Sequence, residues 1–71
     1  MSIYLELAAR AEMEILANEY EHEGVTCTRY RFDIRNVCGD WDIVCVPLPF
    51  ASELTARNEL YKRLKKVFNQ K

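Results

Sequence analysis

The sequence predicts an α+β domain in α-β-β-α order, an antiparallel β-hairpin packed with two helices. Three observations carry that expectation. Residues 1–23 are rich in Glu, Ala and Leu, and Gly24 is a natural helix stop. Val25 to Val37 alternates β-branched or aromatic residues with charged ones, as a half-buried strand does. Residues 52–71 repeat apolar side chains at three and four spacing, which marks an amphipathic helix.

Each element follows in order. Ser2 is placed to cap a first helix running to about Tyr20–Glu23. Tyr4, Ala8, Ala11 and Ile15 form one apolar stripe, and Leu5, Ala9, Leu16 and Tyr20 form another. Glu12 and Glu19 fall between them, on the side that should be buried. That is a local conflict, because a buried charge is costly unless it is paired.

The strand Val25–Val37 puts Thr26, Thr28, Tyr30, Phe32 and Ile34 on one face and Arg29, Arg31, Asp33 and Arg35 on the other. Cys38-Gly39-Asp40 reads as the turn, and Trp41 to about Leu48 as the second strand. A two-residue turn would set Val44, Val46 and Leu48 opposite the arginines. A three-residue loop instead pairs Ile34 with Val44, Phe32 with Val46 and Tyr30 with Leu48, and makes one apolar face. In that register Pro47 and Pro49 blunt the outer edge of the second strand. The strand Val25–Val37 is then the edge left open to a partner. Ser52 caps a second helix expected to bury Leu54, Leu60, Tyr61, Leu64, Val67 and Phe68.

Size and composition limit the function. Residues 1–71 make a single domain, 49% apolar and 30% charged, with a small core and no room for a large active-site cleft. No apolar run approaches the roughly 18 residues of a membrane span, and Glu6 follows the start too closely for a secretory signal. The odd cysteine count (Cys27, Cys38, Cys45) fits reduced thiols and a cytoplasmic location. A zinc site from these with His22 is arithmetically available, but no close ligand pair exists, so no metal is expected. Phosphate-loop, dinucleotide, nucleophile-elbow and zinc-protease motifs are absent, and His22 among Glu19, Glu21 and Glu23 reads as a solvated helix-end residue. The expectation is a non-enzymatic protein with no catalytic residue and no cofactor.

Charge is distributed unevenly. Residues 1–24 carry six glutamates and Arg10, residues 25–50 three arginines and three aspartates, and residues 51–71 six basic and two acidic groups. Formal net charge is −1, so the chain has no bulk attraction to nucleic acid or acidic membranes. The hairpin face with Arg29, Arg31, Arg35, Trp41 and Ile43 has the composition of a protein-binding hot spot. The competing expectation is that a helix covers this face and Glu12 or Glu19 meets an arginine there. A homodimer joined through the open strand would meet the burial need of a lone hairpin.

The alternative function is nucleic-acid contact by the basic second helix, through Arg57, Lys62, Arg63, Lys65 and Lys66. Mimicry of nucleic acid by Glu6, Glu14 and Glu21 would suit the first helix alone. Chain size by itself adds one base-rate expectation, an inhibitor of a host complex of the phage or mobile-element type.

Overall fold

Residues 13–22, expected to finish the first helix, instead form a third strand. The computed structural model describes residues 3–69, with the side chains of Cys38, Phe68 and Asn69 excepted. Its elements are α1 (Ile3–Arg10), β1 (Met13–His22), β2 (Val25–Asp33), α2 (Arg35–Cys38), β3 (Trp41–Pro47), a 3₁₀ turn (Leu48–Phe50) and α3 (Glu53–Asn69). The α+β class stands, and an added strand, the four-residue helix α2 and a 3₁₀ turn separate the observed order from the expected one. The expected Ser2 cap lies outside the described residues.

The physical reason for the change is competition for a strand edge. Helix propensity across 13–22 is good, so local preference alone does not make this segment a strand. Pairing β1 with β2 satisfies a row of backbone groups that a lone hairpin would leave open. It also dissolves the conflict at Glu12 and Glu19, both of which are exposed. Glu12 sits in the α1–β1 link, where its carbonyl accepts the Asp33 N–H at 2.9 Å.

The sheet order is β1-β2-β3, antiparallel throughout, so the strand expected at the edge is the central one. This removes the ground for a dimer joined through that strand. Glu23 (φ 53°) and Gly24 (φ 80°) form the β1–β2 turn between the paired His22 and Val25. Two successive positive φ values are those of a type I′ hairpin turn. Gly24 therefore reverses a hairpin rather than stopping a helix. Register shifts between Ile15 and Ala17, and again between Ala17 and Tyr20, bulge β1 outward.

Parity in the β2–β3 pair is as expected, and its register is four residues away. Tyr30 faces Val44 instead of Leu48, Thr28 faces Val46, and Phe32 faces Asp42. The reason lies in residues 34–40. Instead of a long strand and a short loop, β2 ends at Asp33 and α2 closes on Gly39, whose N–H donates to the Arg35 carbonyl at 3.0 Å with φ at 74°. An even shift keeps every side chain on its expected face.

Both helices lie on one side of the sheet. Ala8 of α1 and Ala56, Leu60 and Leu64 of α3 meet Tyr30, Phe32, Val44 and Val46, with Ile34 beside them. Phe32 and Leu60 are fully buried at 0% exposure. The Ser52 cap is as expected, its Oγ accepting the Thr55 N–H at 3.1 Å. Two expected core residues of α3 are exposed, Leu54 at 72% and Val67 at 59%. The buried stripe is Ala56, Leu60, Leu64 at i, i+4, i+8, which turns Leu54 sideways and leaves Val67 a turn nearer the helix end than the last of them. Phe68 lies outside the described side chains.

Arg57 completes the core. Its Nη1 donates to the Ala8 carbonyl at 2.9 Å and the Ala11 carbonyl at 2.8 Å, the end of α1, while Nε meets Glu53 at 2.9 Å. The guanidinium lies 5.6 Å from the Phe32 ring centre. A cation at a helix C-terminus satisfies carbonyls that have no partner within the helix.

Candidate interaction face

With α1 and α3 on the even-numbered face of β2, the odd-numbered face is left uncovered by either helix. Residues that pair directly point the same way, so this face combines Glu14, Ala17 and Tyr20 of β1 with Cys27, Arg29, Arg31 and Asp33 of β2. Trp41, Ile43 and Cys45 of β3 complete it. The expected site residues Arg29, Arg31, Trp41 and Ile43 are thus brought together, and Arg35 at the start of α2 joins them by stacking on Trp41. The competing expectation, a helix over this face, is overturned.

Trp41 is the centre of the arrangement. The Arg31 guanidinium carbon lies 4.6 Å from its ring centre and that of Arg35 lies 5.4 Å away. Both contacts are within the range of cation–π attraction. They leave the indole half-buried rather than exposed. Each guanidinium is also tied to a carboxylate. Arg31 pairs with Glu14, a residue for which sequence reasoning offered only nucleic-acid mimicry. Reading β1 as a helix hid this pairing, because only a strand brings Glu14 opposite Arg31.

Arg35 grips Asp33 through Nε at 2.9 Å and Nη2 at 2.7 Å, while its backbone N–H donates to the same carboxylate at 3.0 Å. The side-chain bonds from Arg35, and then the backbone bond, hold Asp33 below the usual carboxylate range. The Arg31 Nε is buried with no acceptor among the described residues. Arg29 differs again: it lies 5.1 Å from the Tyr20 ring centre and has no carboxylate among the described residues.

The basic helix is less of a unit than its sequence suggests. Arg57 is committed to the α1 carbonyls, as described. Arg63 reaches Asp42 at 3.0 Å and also donates to the Ile43 carbonyl, which ties α3 to the edge of β3. Lys62 lies 3.4 Å from Glu59, Lys65 lies 5.9 Å from the Tyr61 ring centre, and Lys66 is exposed. Three lysines therefore remain of the five candidate contacts.

At the hairpin end of the open face is a cavity of about 230 Å³, lined by His22, Glu23, Val25, Cys27, Cys45 and Pro47. His22 is the last residue of β1 rather than a helix-end residue, with its ring 6.3 Å from that of Tyr20. Among the described residues no three His, Cys, Asp or Glu side chains converge as metal ligands. No helix among them is long and apolar enough to cross a membrane.

No protein-family model, curated protein or solved structure matches this chain.

Proposed function

We propose that this chain is a small non-enzymatic interaction protein that binds a protein partner through the open face of its sheet. One observation carries the reading: α1 and α3 pack on the opposite face, leaving Trp41, Ile43, Arg29 and Arg31, with Arg35 of α2 stacked beside Trp41, without a covering element among the described residues. Trp and Arg are the residues that hot spots favour, and preorganised rings and guanidiniums lose little freedom on binding.

Charge supports a partner segment that presents a carboxylate beside apolar side chains. Arg31 and Arg35 are neutralised within the face, whereas Arg29 is not. Inhibitory binding of the phage or mobile-element type rests on chain size alone. A second copy of the chain is the other candidate occupant, and sedimentation at rising concentration addresses it directly.

The test compares wild type with Trp41→Ala and Arg29→Glu in nuclease-treated native lysate. A stoichiometric protein retained by wild type and lost from both variants, with unchanged circular dichroism, is the expected result. Equal retention by all three would exclude the face. The second reading, nucleic-acid contact by α3, is supported by Lys62, Lys65 and Lys66 alone. It requires an affinity that falls steeply between roughly 50 and 200 mM salt.

A further inference from the structure

The interaction reading leaves a thiol pair unused. Cys27 and Cys45 are diagonal neighbours on the open face, since Cys27 pairs with Pro47 and Cys45 with Arg29. Both pairs share the parity of Arg31–Ile43, where the Ile43 N–H is taken by Asp42 Oδ1 and its carbonyl by Arg63, off the ladder. By alternation these are non-hydrogen-bonded positions, where side chains on neighbouring strands approach most closely. The two thiols differ in access. Cys27 is 3% exposed and donates to the Tyr20 carbonyl at 3.1 Å, whereas Cys45 is half-buried, and both line the cavity at the hairpin end. Burial first, and then the adjacent Cys45 sulfur, push the Cys27 thiol above its ordinary value, so it stays protonated until a reaction draws on it.

We infer that Cys27 and Cys45 are a redox-closable dithiol, which a low-molecular-weight disulfide oxidises to a bond stapling β2 to β3 across the open face. Cys45 gives its proton to solvent and its thiolate attacks one sulfur of the small disulfide, whose S–S bond breaks and releases one small thiolate, which takes up a proton. Cys27 then gives its proton to solvent and attacks the Cys45 sulfur. The mixed bond breaks, and the second small thiolate leaves and takes up a proton. Two protein thiols are oxidised and one small disulfide is reduced to two thiols.

Diagonal Cα atoms stand about 7–8 Å apart, mostly along the strand axis, and disulfides rarely span more than about 6.8 Å, so closure requires β2 and β3 to slip along each other by about 1 Å. A bond closed under such strain is readily reduced, as a reversible one must be. The inference holds whatever the face binds.

The test incubates the full chain with oxidised glutathione, quenches it, alkylates it in denaturant and maps the peptides. The expected product has lost two hydrogens, carries the alkyl label on Cys38 alone, shows a Cys27–Cys45 cross-link and reverts with dithiothreitol. Cys27→Ser, whose hydroxyl can still donate to the Tyr20 carbonyl, should accumulate glutathione on Cys45. A wild-type product that stops with glutathione on Cys45, a bridge through Cys38, or no reaction at either cysteine overturns the inference.

Discussion

Arg31 lies across the Trp41 indole at 4.6 Å while its guanidinium pairs with Glu14, so one side chain joins all three strands of the open face. The arginine belongs to the central strand, the tryptophan to one edge strand and the glutamate to the other. A partner docking here meets a surface already ordered by its own contacts.

Trp41→Ala should weaken partner binding about 30-fold, corresponding to roughly 2 kcal/mol, the lower bound for a hot spot. Titration calorimetry with the captured partner would measure it. A loss below threefold would remove Trp41 from the interface.

Arg57→Met should destabilise the fold by about 2 kcal/mol, since it strips the Ala8 and Ala11 carbonyls of a charged donor. Urea unfolding measures the change, and Lys66→Met, on the exposed side of the same helix, is the control expected to do nothing.

Glu23→Asn should stabilise the protein by about 0.5–1 kcal/mol, because asparagine tolerates the positive φ of this turn better than glutamate does. Gly24→Ala should act in the opposite direction, at φ 80°. Thermal melts of the two variants should move apart from wild type on either side.

Asp33 gives the pH dependence its sign. Its folded-state pKa lies below the unfolded one, so the Arg35 pair contributes stability above the usual carboxylate range. That contribution is lost as pH falls from about 4 through the folded value. Wild type should therefore melt higher than Asp33→Asn at pH 6, and the gap should narrow as the pH falls below the usual carboxylate range. A gap that persists in acid would mean the pair is not its source.

Both outer edges of the sheet carry features that disfavour strand addition. β1 carries two bulges and Glu14, Glu19 and Glu21, while on β3 the Ile43 backbone is occupied by Asp42 and Arg63. Pro47 shares the parity of Ile43, so its missing N–H falls on that same edge, as expected, whereas Pro49, expected on that edge too, lies past β3 in the 3₁₀ turn. Self-association by adding strand to strand has little to build on here.

The sequence by itself determined whatever depends on local spacing. Alternation assigned Arg29, Arg31 and Trp41 to one face and Tyr30, Phe32 and Val44 to the other, and a four-residue change of register left that assignment intact. Ser52 was legible as a cap because capping needs only the following turn. The tertiary structure alone decided that residues 13–22 form a strand, since their local propensity suits a helix. The outcome rests on the unpaired edge of β2, about ten residues further along the chain. With that choice went the placing of Glu14 on Arg31, the central position of β2, and the gathering of both helices on one face. None of these can be read from a window of neighbours, because each is the free-energy balance of groups that meet only after the chain has folded.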